Sequence, residues 1–251
     1  MKRLLRRMRG SKPVAAQLDV PEDMSPRDRA ILERVRPYTM TSALRIEALT
    51  GAVRYCLAAE IPGAFAECGV WRGGSVMAML LTLLEQGVRD RDVYLYDTFE
   101  GMTTPTKEDT SAFEEPALKT WQRSGQKGEK AWQGVFNQEI FNEDDVRQAL
   151  LSTGYPEEHL HFVRGPVEQT IPGTLAPQLA LLRLDTDWYE STRHEMAHMY
   201  PRLSRGGVLI VDDYGHWQGC RQAVDEYFSD KGIAPVLLQR IDYTGRMAVK
   251  P

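Results

Sequence analysis

Leu182-Arg183-Leu184-Asp185-Thr186-Asp187-Trp188-Tyr189-Glu190-Ser191-Thr192 decides the fold once it is set beside Gly207-Val208-Leu209-Ile210-Val211-Asp212-Asp213-Tyr214. Each is an apolar run that stops at two carboxylates and gives way to helical periodicity, the pattern of a buried strand in a parallel sheet. Ligands of open parallel sheets sit beyond the carboxyl ends of the strands. Asp185, Asp187, Asp212 and Asp213 are therefore expected on one rim. Two like charges about 4 Å apart repel by about 4 kcal/mol at an effective dielectric of about 20. Such a rim needs a cation, bound protons or real separation, and a cation is the favoured reading. Asp185 and Asp187 share a face if the strand continues through them, whereas Asp212 and Asp213 face opposite ways unless the strand ends in a turn at Tyr214-Gly215.

Working outward, strands are expected at 64–68, 92–97, 159–163 and 179–184, at a run starting from Gly206-Gly207, and at 236–241 and 246–249 around Tyr243-Thr244-Gly245. Helical spacing fills the intervals: Leu44, Leu49, Val53, Cys56 and Leu57 after a cap at Thr41 or Ser42, then 76–84, 144–151, 189–203 and 218–228. Alternation of this kind predicts an α/β fold. It has a seven-stranded, mostly parallel sheet, one antiparallel edge strand and helices on both faces. Residues 1–37 read as a basic arm and lid-like extension, and 38–251 as the domain. Residues 103–142, polar, poorly periodic and carrying Trp121 and Trp132, are an insertion long enough to be a lid or substrate loop.

Glu67-Cys68-Gly69-Val70-Trp71-Arg72-Gly73-Gly74-Ser75 links the first strand to its helix. Its glycines do not match G-x-G-x-x-G, so a pyrophosphate has no obvious cradle. They still let backbone approach a ligand at a helix N-terminus, and Asp97 at the next strand tip is placed to accept from ribose hydroxyls. An adenosyl ligand without phosphates is the preferred guess; glycines that serve only tight strand–helix packing are the alternative.

The net charge of −4 and pI near 5.8 argue against a general nucleic-acid binder. No apolar run is long enough to span a bilayer. Cys56, Cys68 and Cys220 are too few and too far apart for a disulfide framework or a zinc motif, and read as reduced thiols in a cytoplasmic protein. The first nine residues, Met1-Lys2-Arg3-Leu4-Leu5-Arg6-Arg7-Met8-Arg9, read as a solvated arm, with weak membrane-surface contact as the alternative.

Four stretches in this order, Glu67 through Ser75, Asp97-Thr98-Phe99-Glu100-Gly101-Met102, Leu184 through Thr192 and Val211-Asp212-Asp213-Tyr214, resemble the macrocin O-methyltransferase (TylF-like) family. The resemblance runs from about Tyr38 to the C-terminus. It implies a Rossmann-like class I methyltransferase fold and a homo-oligomer. It also implies transfer of methyl from S-adenosylmethionine to a sugar hydroxyl of a natural product, with Mg²⁺ or another divalent cation. By position, Glu67, Gly69, Val70, Ser75, Asp97, Phe99 and Asp185 would line the cofactor site, under a segment carrying Thr39 and Met40. Asp185, Asp212 and Asp213 would hold the metal, and Asp187 would be the base. The chain departs from the family at Pro166-Val167, where members often carry an aromatic residue after the glycine.

The chemistry follows from the residue types. A sugar hydroxyl is a poor nucleophile, and a cation chelating two vicinal hydroxyls acidifies and positions them. Three aspartates plus substrate oxygens suit Mg²⁺, and there is no Cys/His cluster for zinc. Capping the following helix is the competing role for Asp187, as capping a turn is for Asp212-Asp213. His216 is a candidate auxiliary base or orienting group. Trp188 and Trp217 either stack on the acceptor or pack in the core, while His194 and His198 read as surface or packing residues. Three rivals remain. A dehalogenase-type phosphatase would want a lysine between Asp187 and Asp212, and none is there; a D-x-D glycosyltransferase leaves the glycine loop without a purpose; a non-catalytic adenosylmethionine-binding protein has no reason to tolerate the acidic rim.

Overall fold

The computed structural model describes residues 20–126, 142–230, 232 and 236–251. The basic arm, and the part of the insertion from 127 to 141 with Trp132, lie outside the described residues. Seven strands form one sheet: β1 (Ala64–Cys68), β2 (Val93–Asp97), β3 (Leu160–Arg164), β4 (Leu179–Leu184), β5 (Leu203–Val211), β6 (Gln239–Arg240) and β7 (Arg246–Val249). Their order is β3-β2-β1-β4-β5-β7-β6. The first five are parallel; β7 runs antiparallel beside β5, and the two-residue β6 finishes that edge.

The α-helices among the described residues are α1 (Pro26–Val35), α2 (Ala43–Ala58), α3 (Gly74–Glu85), α4 (Ala117–Gln126), α5 (Glu143–Leu151), the single turn α6 (Val167–Thr170), α7 (Tyr189–His198) and α8 (Gln218–Asp230). Local chemistry sets several starts. Ser25 caps α1 by accepting from Asp28 N–H with Pro26 in the first turn, Ser42 caps α2, and Asn142 caps α5 ahead of three acidic residues. The helix expected over 189–203 stops at His198. Pro201 cannot continue it, and β5 starts at Leu203, with a register break between the Leu179 and Leu181 pairings where Gly206 takes a left-handed φ of 76°.

Strand alternation sorts the core into two layers. Phe65, Val93, Leu95, Leu181, Val208 and Ile210 face α1, α2, α3 and α5. Ala66, Cys68, Tyr96, Leu182, Leu184, Leu209 and Val211 face α4, α6, α7 and α8. The extension is part of the first layer: Ile31, Leu32 and Val35 of α1 are buried there, and Asp28 ties α1 to α2 through Thr50 and Arg54.

Candidate active site

β1, β4 and β5 end side by side. Asp185 N–H donates to Cys68 O at 2.8 Å, and Asp212 N–H to Leu184 O at 2.9 Å, so each acidic tip extends the ladder by one step. β5 ends at Val211 and a turn follows, with His216 and Trp217 N–H both donating back to Asp213 O at 3.0 Å. That turn brings both aspartates inward. One carboxylate oxygen each from Asp185, Asp212 and Asp213 lies within 4.8 Å of the others.

Asp187 arrives by a different route from the one its spacing implies. β4 stops at Leu184, and Asp187 sits at φ 65°, off the strand. Its Oδ1 accepts from Trp217 Nε1 at 2.9 Å. Nor does it cap α7, whose cap residue Trp188 makes no side-chain cap hydrogen bond to the helix; Asp109 of the insertion does that work, accepting from Tyr189 N–H at 2.8 Å. The other Asp109 oxygen takes the backbone N–H and hydroxyl of Thr106. Asp109 is fully buried, and Trp188 Nε1 donates to Thr103 O, so the first part of the insertion is anchored over the rim.

The register opposes Glu67 to Arg183, and alternation puts Glu67, Arg183, Asp185 and Asp212 on one face. Arg183, 1% exposed, is a cation in the midst of the carboxylates. Its Nη1 donates to Glu67 and to Asp185 Oδ2 (2.7 Å), and its Nη2 to Asp212 Oδ1 (2.6 Å) and Thr41 Oγ1 (3.3 Å). Arg45 of α2 adds a second guanidinium, pairing with Asp212 and with Asp242. Sequence reasoning missed both arginines; the signal for Arg183 was a charge inside an otherwise apolar strand, which must find partners.

Even so, positive charge does not balance the cluster. Burial is the main cause that pushes the Glu67 carboxyl up to about 8 and Asp185 to about 6, against the lowering pull of Arg183. Burial first, then neighbouring carboxylates, raises Asp187 and Asp213 well above the ordinary range. Glu67 Oε2 and Asp213 Oδ2 are buried acceptors without a hydrogen-bond partner among the described residues.

One cleft takes in this rim and the glycine loop. Its lining includes Thr39, Met40, Glu67, Gly69, Val70, Ser75, Asp97, Asp185, Asp187, Asp212 and Asp213. Gly69 has to be glycine: at φ 83°, a Cβ would lie 2.0 Å from Asp185 O. Gly74 lets the Tyr38-Thr39 backbone cross the start of α3, where a Cβ would meet Tyr38 O at 2.5 Å. Asp97 lines the cleft, but its carboxylate organises the loop, with Oδ2 accepting from Val70 and Trp71 N–H and Oδ1 from Phe99 N–H. Burial leaves its pKa raised in spite of those donors.

Some expected residues are elsewhere. Phe99 is turned away from the cleft at φ 51°, buried in the first core layer against Phe162. His216 does not line the cleft; Nε2 engages Glu114 at 2.8 Å and Nδ1 meets Tyr243 Oη at 3.3 Å. Trp188 and Trp217 are buried edge-to-face against each other; Trp188 also lines the cleft, and Trp217 donates to Asp187. His194 contacts Ile171 O through Nε2, in keeping with a packing histidine.

The family model for macrocin-O-methyltransferase (TylF) matches residues 2–249. The chain belongs to that family. This TylF-family O-methyltransferase is 31% identical over 226 residues to demethyldecarbamoylnovobiocin O-methyltransferase of Streptomyces niveus, covering 86% of this chain and 81% of that protein. It is 34% identical over 208 residues to 8-demethyl-8-(2,3-dimethoxy-alpha-L-rhamnosyl)-tetracenomycin-C 4'-O-methyltransferase of Streptomyces olivaceus, covering 83% and 74%. Among solved structures, the O-methyltransferase NovP matches at a TM-score of 0.71 and 32% identity, over 85% of this chain and 82% of that one. Family membership sets aside the phosphatase and glycosyltransferase readings. No helix among the described residues is long and apolar enough to cross a membrane.

Proposed function

We propose that this methyltransferase moves the methyl group of S-adenosylmethionine to a hydroxyl on the sugar of a glycosylated natural product, with a divalent cation, Mg²⁺ by preference, held by Asp185, Asp212 and Asp213. The observation that carries the reading is the convergence of three carboxylate oxygens within 4.8 Å on the same cleft that the glycine loop lines. Of the relatives named above, one acts on a rhamnosyl tetracenomycin and the other on demethyldecarbamoylnovobiocin, as their names state.

The donor set fits a hard cation: all the ligating atoms are carboxylate oxygens, and Asp213 Oδ2 is buried with no other partner among the described residues. Asp212 can serve although both its oxygens already meet arginines, because a carboxylate oxygen accepts from more than one direction. When bound, such a cation acidifies a coordinated hydroxyl and fixes its neighbour. The chain's own residues do the rest. Glu67, whose Oε2 lacks a partner in the described structure, offers an acceptor to the amino group of the methyl donor. Trp217 holds Asp187 Oδ1 and leaves Oδ2 to take the hydroxyl proton, and the burial that raises the proton affinity of Asp187 suits it to that task. Tyr38 and Thr39 line the cleft that would take the donor. The three free, buried cysteines accord with a cytoplasmic setting.

Calorimetry with S-adenosylhomocysteine, in Mg²⁺ and in EDTA, tests the two ligands; no binding in either condition ends the proposal. Asp187→Asn should lower turnover by about a hundredfold or more while sparing cofactor affinity. Full activity in that variant refutes its role as base.

A further inference from the structure

A group of aromatic side chains outside the cleft is not explained by anything above. Phe113 of the insertion is 64% exposed and Tyr243 of the β6–β7 turn 53% exposed. Between them stands His216. Phe113 stacks on its ring with centroids 5.4 Å apart and an interplanar angle of 16°, and meets the Tyr243 ring edge-on at 5.4 Å. Three separate segments thus come together at the surface to present apolar faces to water, an arrangement the hydrophobic effect disfavours unless something covers it.

Its position says what that something is. His216 N–H donates to Asp213 O, and Thr244, next to Tyr243, donates its hydroxyl to Asp212 O at 2.8 Å. His216 therefore shares a loop with Asp212 and Asp213, and the turn that carries Tyr243 is hydrogen-bonded to that loop. Trp217 joins the two regions: its ring meets His216 edge-on at 4.9 Å, and its N–H holds Asp187. The contacts from Asp187 through Trp217 to His216 give an acceptor that presents its hydroxyl to Asp187 a route to this group of rings.

We propose that Phe113, His216 and Tyr243 form an acceptor subsite, a stacking platform for a planar aromatic ring attached to the sugar that is methylated. The inference rests on the sugar methyltransfer reading and adds the class of aglycone. Glu114, bonded to His216 Nε2, fixes the imidazole plane on which Phe113 stacks. Offset and edge-on contacts between aromatic rings favour such a ligand over an aliphatic one of equal area.

The test uses the full chain saturated with S-adenosylhomocysteine and Mg²⁺. A panel of 4-nitrophenyl glycosides is compared with the matching methyl glycosides by saturation-transfer NMR titration. At least one 4-nitrophenyl glycoside should bind about tenfold more tightly than its methyl partner. That preference should vanish in Phe113→Ala and Tyr243→Ala, whose melting temperatures and S-adenosylhomocysteine affinities stay at wild-type values. Equal affinity for the two kinds of glycoside, or a preference that survives both substitutions, overturns the platform and leaves methyltransfer standing. If no glycoside of either kind binds while S-adenosylhomocysteine does, the sugar acceptor and the platform fall together. Absence of S-adenosylhomocysteine binding strikes the methyltransferase reading itself.

Discussion

Replacing Arg183 with methionine keeps much of the side chain's length and removes its charge. In the native site that one guanidinium serves Glu67, Asp185, Asp212 and Thr41 while 1% exposed. Taking out one partner of a buried ionic network costs about 3–5 kcal/mol, because the charges left behind have neither water nor a counter-ion. For a chain of this size each kcal/mol lowers the melting temperature by about 2–4 °C. Arg183→Met should therefore melt about 6–20 °C below wild type, measured near pH 8 in EDTA. The remaining carboxylates can recover by binding protons, so the deficit should narrow as the pH falls to about 5. Millimolar Mg²⁺ should narrow it as well, since a divalent cation replaces some of the missing positive charge. Loss of less than about 2 °C at pH 8 in EDTA, below the cost of even 1 kcal/mol, would mean that the carboxylates do not depend on Arg183. The account of the site as a charge cluster with an internal counter-ion would then be wrong.

Asp109→Ala removes the acceptor for the N–H groups of Tyr189 and Thr106 and should destabilise by about 2–4 kcal/mol. It would be read as a lower denaturant midpoint at unchanged m; a shift under about 0.5 kcal/mol denies Asp109 its anchoring role. The pH dependence of the metal-free protein has a definite sign. Glu67 at about 8 and Asp185 at about 6 lie above the ordinary carboxylate values of 4.5 and 3.8, so the folded state binds more protons than the unfolded one. That stability is complete below the unfolded values and is lost as the pH rises through about 6 and then about 8. Melting temperatures in EDTA should fall along that interval, and Glu67→Gln should flatten its upper part; a rise with pH contradicts the assignment. Gly69→Ala forces a Cβ against Asp185 O and should abolish S-adenosylhomocysteine binding in calorimetry; wild-type affinity would show that the loop relaxes without consequence.

The architecture and the acidic rim were legible because they depend on local pattern. Apolar runs that end in Asp185 and Asp212-Asp213 identify strand tips, and strand tips of a parallel sheet identify the ligand edge. What stayed hidden depends on register and on distant segments. Asp109 is the cap of α7, yet it lies 80 residues before Tyr189 in a stretch without periodicity, so nothing local marks it. Asp187 looked like the strand partner of Asp185, but the chain leaves the strand after Leu184, and the alternation argument stops there with it. Arg183 could be seen as an anomaly in Leu179–Leu184, but its role required knowing that Glu67 stands opposite on β1 and Ile210 on β5. That dependence can be followed further. Sliding β4 by one residue against its neighbours would turn Arg183 toward Cys68 and Trp188, on the layer lined by α7 and α8. Glu67 would lose its cation, and Asp185 would leave the face it shares with Asp212. The charges that burden this site thus also select its register, because only one pairing of β1, β4 and β5 lets the buried guanidinium meet all three carboxylates.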